Sequence, residues 1–290
     1  MCPRLEVQTC NGLAICTEPG AQNQPQLAVD GAGGAIITWR DSRTSGQTLT
    51  DIYAQKVTAA GALPWGTSGV AISKFGSSQR EPAIVSDGAG GAIIAFLDQR
   101  VSNVDIYAQR VDGNGAVQWT ADGVVSCAET NGQSGVRLAS DGSNGAIMTW
   151  YDDRASLNIY AQRIRASDGA PQWNADGVVI CDAANRQSDP EIIADGFAGA
   201  IICWADLRVD DFSKDVYAQR VDFNGAIQWV ANGLAICTFN NQEDGPQLAS
   251  DTLGGAIITW QDGRADGEIY ASHATAAGAL PVTLSGLSIE

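Results

Sequence analysis

The 290-residue sequence holds one histidine, His273, three lysines (Lys56, Lys74 and Lys214) and two methionines. With a single imidazole, a histidine-based metal site and a Ser-His-Asp relay are nearly excluded. No apolar run approaches the ~18 residues of a membrane-crossing helix. Basic residues are scarce too: 17 against 33 acidic ones, for a formal charge of −16. That balance argues against nucleic acid and against anionic membrane surfaces as partners. No leader-like segment opens the chain, which suits a cytosolic protein or a mature segment. What the sequence has in abundance is apolar residues, at 44%, and 33 glycines. With only 17% charged residues, the chain is neither a disordered polyampholyte nor a charged coiled coil.

Self-similarity organises all of it. An Asp followed by a glycine-rich turn recurs at Asp30, Asp87, Asp141, Asp195 and Asp251, at spacings of 57, 54, 54 and 56 residues. An apolar run follows each, ending at Trp39, Phe96, Trp150, Trp204 and Trp260. Next comes Asp-x-Arg, as Asp41/Arg43, Asp98/Arg100, Asp152/Arg154, Asp206/Arg208 and Asp262/Arg264. An Ile-Tyr or Val-Tyr step, a Gly-centred turn and a Trp (Trp65, Trp119, Trp173, Trp229) complete the pattern. Five copies fill residues 1–290, so the expectation is one domain rather than two.

Each copy reads as four short strands. In the first, strand A is Pro25–Val29, strand B Ala35–Arg40, strand C Asp51–Val57 and strand D lies near Gly69–Ser73. Asp-Gly and Gly-Gly supply the positive φ of the A–B hairpin. No 3.6-residue period competes, so the class is all-β. Strand B is apolar on both faces, and a sheet buried on both faces must lie between other sheets. Five such sheets predict a five-bladed β-propeller of four-stranded antiparallel blades. An open stack of sheets is the alternative. The strand-D motif occurs six times, with copies at both ends, Gly12–Cys16 and Gly286–Glu290, and Asn11–Cys16 repeats Asn232–Cys237 residue for residue. Pairing of the terminal segments is therefore expected to close the ring, with the N-terminal copy completing the last blade.

The string Asp105-Ile-Tyr-Ala-Gln-Arg-Val-Asp112, preceded by the aromatic-x-Asp-x-Arg and Asp-Gly-x-Gly-Gly-Ala motifs, resembles the repeats of large secreted bacterial β-propeller proteins. The resemblance spans nearly the whole chain. It implies an extracellular or cell-surface setting and brings no catalytic residues with it.

The repeated motifs favour architecture over chemistry. A group needed once per site seldom appears once per blade, so Asp-x-Arg reads as a turn cap and salt bridge within each blade. The Trp series reads as inter-blade packing with the indole N–H on a carbonyl. Cys16, Cys127, Cys181 and Cys237 share one repeat position on different blades, beyond disulfide reach. Cys203 reads as a small core residue, and only Cys2 and Cys10 could pair. Each glycine-rich turn offers a single carboxylate where calcium needs six to eight oxygens, so a hairpin is favoured. No cofactor or metal is expected.

The A–B and C–D turns are uniform, whereas the B–C and D–A connections vary. Blades one and four carry insertions at Thr44–Thr50 and Val209–Lys214. Loops on a rigid scaffold carry binding, so the variable face is the candidate. Eight residues before the repeat Asp stand Gln22, Gln79, Gln133 and Gln187. Gln242 stands nine before Asp251 and matches them if Gly245 adds a residue. Their amides either fasten the D–A loop or ring the channel mouth, with Arg137 and Glu191 beside them. The non-repeating acids there are Glu81, Asp189, Glu191 and Asp244, a thin set for a glycosidase. The resulting expectation is a non-catalytic extracellular binding or adhesion module for a glycan or protein partner. A structural spacer ranks second and a glycoside hydrolase third.

Overall fold

A computed structural model of the chain describes residues 12–43, 49–209, 212–239, 242–264 and 267–280. It is all-β. Blade one comprises β1 (Gln22–Val29), β2 (Ala35–Asp41), β3 (Asp51–Val57) and β4 (Val70–Ser73). Blade two comprises β5 (Gln79–Ser86), β6 (Ala92–Asp98), β7 (Asp105–Val111) and β8 (Val124–Cys127). Blade three comprises β9 (Gln133–Ser140), β10 (Ala146–Asp152), β11 (Asn158–Ile164) and β12 (Val178–Cys181). Blade four comprises β13 (Gln187–Ala194), β14 (Ala200–Asp206), β15 (Asp215–Val221) and β16 (Leu234–Cys237). Blade five comprises β17 (Glu243–Ser250), β18 (Ala256–Asp262) and β19 (Glu268–Ala274). Each sheet is an antiparallel meander in chain order, four-stranded in blades one to four and three-stranded in blade five among the described residues. The protein is a five-bladed β-propeller.

The two-faced second strand explains the stacking. Ile36, Ile93, Ile147 and Ile201 face the following blade, and Ile94, Met148, Ile202 and Ile258 face the preceding one. All eight are fully buried, each worth about 1.5–3 kcal/mol relative to exposure. Ile257, at the same position in blade five, is 41% exposed. Among the described residues nothing covers that face, and residues 1–11 and 281–290, which include parts of the expected closing segments, lie outside them. Gly12–Cys16 is not a strand. The Cys16 Sγ nevertheless accepts from Arg43 at 3.2 Å, just as Cys127 and Cys181 accept from Arg154 and Arg208. It therefore sits against blade one as an outer strand sits against the next blade.

The Asp-x-Arg motif does hold each blade internally. Asp152 Oδ2 accepts from Arg154 at 2.6 Å and from Trp150 Nε1 at 3.0 Å, while Arg154 also donates to the Asp176 carbonyl at 2.9 Å. The guanidinium lies over the Tyr160 ring, 3.9 Å from its centroid, and that ring stacks with Trp150. Blades one and four repeat the set, blade five repeats it without the carbonyl bond among the described residues, and Phe96 replaces the Trp in blade two. The Trp series clasps neighbouring blades: Trp65, Trp119, Trp173 and Trp229 donate to carbonyls of Gly113, Ala166, Phe223 and Ala276. Cys16, Cys127, Cys181, Cys203 and Cys237 are free thiols, and burial pushes Cys127 up to about 12. Cys2 and Cys10 lie outside the described residues.

Each glycine-rich turn is a hairpin capped by its Asp. Asp30 Oδ1 accepts from the Ala32 and Gly34 amides at 2.8 Å. Its other oxygen faces Lys56; the equivalents face Arg110, Arg163, Arg220 and, in blade five, His273. Gly34 has to be glycine, because a Cβ there would lie 2.3 Å from the Val57 carbonyl oxygen.

Removing Arg154 (Arg154→Ala) leaves Asp152 buried without its cation. A loss of about 2–3 kcal/mol in urea unfolding is expected. His273→Arg restores the permanent cation of the other turns. It is expected to raise the unfolding temperature at pH 8 by about 1–2 °C, as read by calorimetry.

Candidate functional site

The first strand of every blade starts three residues before the position expected from sequence, because the ladder continues through a β-bulge. Pairing shifts register between Asn23 and Gln26, and likewise between Arg80 and Ala83, Ser188 and Glu191, and Asp244 and Gln247. In blade three the break falls opposite Thr149 and Tyr151. The bulged residue has left-handed φ in all five blades: Gln24 at 53°, Glu81 at 52°, Gly135 at 65°, Asp189 at 53° and Gly245 at 58°. Glycine tolerates that conformation and other residues hold it at a cost of about 1–3 kcal/mol. Bulges re-aim side chains. Gln24, Glu81 and Asp189, from blades one, two and four, all line one cavity of about 320 Å³, with Arg137 and Tyr151 of blade three.

The cavity holds two carboxylates of different blades. Glu81 has Arg80 Nε at 3.6 Å, and its amide donates to Gln24 Oε1 at 3.2 Å. Asp189 accepts from the Ser188 hydroxyl at 3.0 Å and lies 3.7 Å from Lys214 Nζ. Lys214, at the end of blade four's insertion, also donates to Asp244 Oδ1 at 2.9 Å. Burial works against its ammonium, but the Asp244 hydrogen bond and then the Asp189 charge hold its pKa above the usual value. The same hydrogen bond lowers Asp244. Tyr151 reaches the cavity because residue 135 is glycine: a Cβ there would lie 2.6 Å from the Tyr151 ring.

Arg137 and Glu191 pair with each other, Nε to Oε1 at 2.9 Å across blades three and four. The glutamines do not form a channel-facing ring. Gln79, Gln133 and Gln187 are fully buried. Their amides donate to D–A loop carbonyls: Phe75 and Ser77, Glu129 and Asn131, Ala183 and Ala184. Gln22 does the same with Pro19 and Gly20. Gln242 is not their counterpart. It donates to the Phe212 carbonyl at 2.6 Å, and Glu243 pairs with Asp262 as Gln187 pairs with Asp206. Gly245 adds no residue; it occupies the bulge present in every blade.

Sequence reasoning noted Glu81 and Asp189 as odd acids but did not unite them, and it missed Tyr151. The signal was available in four X-Pro steps at one repeat position, Gln24-Pro25, Glu81-Pro82, Asp189-Pro190 and Gly245-Pro246, three of them with different side chains. Among the described residues, Cys237, Glu243 and Asp262 bring atoms of metal-ligand type within 4.8 Å of one another. Both Asp262 oxygens, however, already accept from Arg264, and one also from Trp260.

No protein-family model matches the sequence, and no curated protein matches it. Among solved structures, a protein of unknown function from Dyadobacter fermentans aligns with a TM-score of 0.56 at 9% identity, over 93% of this chain and 84% of that one. An endo-arabinase from Bacteroides thetaiotaomicron aligns at 0.48 and 12% identity, over 90% and 96%. The catalytic domain of a Coprinopsis cinerea GH62 α-L-arabinofuranosidase aligns at 0.42 and 10%, over 90% and 93%. At these identities the likeness shows the fold alone. The expectation of a non-catalytic binding or adhesion module that is not an enzyme finds no support there: these two neighbours of named activity are an endo-arabinase and an arabinofuranosidase domain.

Gln133→Ala should destabilise the fold by about 1–2 kcal/mol through the lost loop bonds. Arg137→Ala, which breaks an exposed pair, should change stability by less than about 1 kcal/mol. Chemical denaturation of both variants measures the contrast.

Proposed function

We propose that the protein is a glycoside hydrolase whose reacting carboxylates are Glu81 and Asp189. The observation that carries this reading is their convergence on one cavity from strained bulges of two different blades. Bond cleavage at a sugar acetal needs two carboxyl groups on opposite sides of the scissile bond. One delivers a proton to the departing oxygen, and the other activates water or attacks the anomeric carbon. The repeat makes this possible without disturbing the blades, because the bulge backbone recurs five times and only its side chain changes.

Other cavity residues suit a carbohydrate. Tyr151 presents an aromatic surface for a sugar ring, Gln24 and Gln26 offer amides to hydroxyls, and the Arg137–Glu191 pair borders the site. The resemblance of the repeats to secreted bacterial propellers supports an extracellular setting, where polysaccharides are the abundant substrates of such a site. Export is tested by fractionating the native host with an antibody to the chain.

A panel of chromogenic glycosides and plant and fungal oligosaccharides, assayed by reducing-end release, tests the activity. Hydrolysis of at least one substrate class is expected, with Glu81→Gln and Asp189→Asn each lowering kcat by at least about 100-fold. Absence of turnover across the panel, or full activity in both variants, overturns the assignment.

A further inference from the structure

Glu243 takes a slot that the other blades give to glutamine. Gln79, Gln133 and Gln187 lie opposite Asp98, Asp152 and Asp206, and Glu243 lies opposite Asp262 in the same register. All four side chains are fully buried. Each glutamine amide donates to the carbonyl of the residue four before it: Phe75, Glu129 or Ala183. The equivalent residue in blade five is Phe239. An ionised carboxylate has no hydrogen to offer there, and among the described residues neither Glu243 oxygen has a hydrogen-bond partner.

The charges around it make ionisation costly. Asp262 of β18 and Asp215 of β15 are like charges, and Cys237 of β16 adds a thiol rather than a cation. Arg264 is the favourable charge, but it already makes two bonds to Asp262, Nε to Oδ1 at 2.8 Å and NH2 to Oδ2 at 2.6 Å. Asp244, the next residue of β17, is occupied with Lys214. A buried carboxylate without its own partner neutralises by taking a proton. The protonated acid has the shape of the glutamine amide and one O–H donor.

We propose that Glu243 is a pH-sensitive lock on the junction of blades four and five: as a neutral acid it fills the glutamine slot, and as a carboxylate it loosens the start of β17. That start is where blade five grips blade four. Gln242 donates to the Phe212 carbonyl, the Glu243 amide to the Lys214 carbonyl, and Asp244 holds the Lys214 ammonium. The lock does not rest on the sugar chemistry proposed for the channel mouth, though Lys214, which Asp244 holds, also lies 3.7 Å from Asp189. Its working range follows from burial, then from Asp215 and Asp262, which push the folded carboxyl up to about 7 from 4.5. The unfolded chain releases this proton first as pH rises. Stability is thus fully present below 4.5, declines between 4.5 and about 7, and is level above.

Thermal unfolding of wild type and Glu243→Gln from pH 4.5 to 8.5 in the presence of EDTA tests the lock. The variant carries the residue of the other blades, so its curve should lack the decline. It should melt about 5 °C above wild type at pH 8 and level with it at pH 4.5. Parallel curves, or a variant less stable at every pH, overturn the proposal. So does a wild-type melting point at pH 8 that zinc or calcium raises to that of the variant, because a cation and not a proton then fills the slot. Hydrogen exchange on wild type alone gives a second reading. Protection of β17 should fall relative to β13 between pH 5 and 8, and constant relative protection contradicts the lock.

Discussion

The constraint on which the molecule rests is that the second strand of each blade is apolar on both faces. Ile93 points into the following blade and Ile94 into the preceding one, and both are fully buried. A sheet of this kind has no stable existence alone. Blades must stack, and the right-handed twist of each sheet turns a stack into an arc around a channel. The Asp-Arg-Tyr-Trp assembly then fixes each blade internally, and the Trp65 series ties it to the next. The conspicuous charged and aromatic residues are therefore committed to architecture, which leaves chemistry to positions where the repeat is broken.

The bulge on the first strand is the place where breaking the repeat is cheapest for the fold. Its backbone is the same in five blades, so its side chain is free to differ: Gln24, Glu81, Gly135, Asp189 and Gly245. Three of the five hold a left-handed conformation without being glycine. Strain of that sort persists where surrounding structure over-determines it, and it concentrates at functional sites. Blade three uses its glycine differently, giving up a side chain so that Tyr151 can approach. The same logic of one altered member in a repeated slot singles out Glu243, at a position where its neighbours keep an amide buried.

The fold was legible because its determinants are local and repeated. Asp30 and its counterparts mark the hairpins, and the apolar run from Ala35 to Trp39 demands cover on both sides. Strand C in blade one falls at Asp51–Val57 both from sequence and in the structure. The site was legible only in part. The bulge is marked in sequence only by the X-Pro steps at its position, which also read as a strand start, so strand A was read as starting at Pro25 and the facing of residues 22–24 was lost. The same hidden residue misaligned blade five, where Gln242 was taken for the repeat glutamine and Glu243 was passed over. Glu81 and Asp189 stood out as acids, but 108 positions of chain separate them. Only the stacking of blades one to four brings them to one cavity. For Gln79, Gln133 and Gln187 both a loop-fastening amide and a ligand ring stayed open, because sequence does not tell a buried amide from an exposed one.

The central claim is that sugars meet Glu81 and Asp189 at the D–A end of the channel. A crystal structure of the Glu81→Gln protein soaked with an oligosaccharide tests it most directly. The account predicts a glycosidic oxygen held between residues 81 and 189, with a sugar ring against Tyr151. An oligosaccharide seated on the uniform C–D turns, or one in the cavity that touches neither residue, would contradict it.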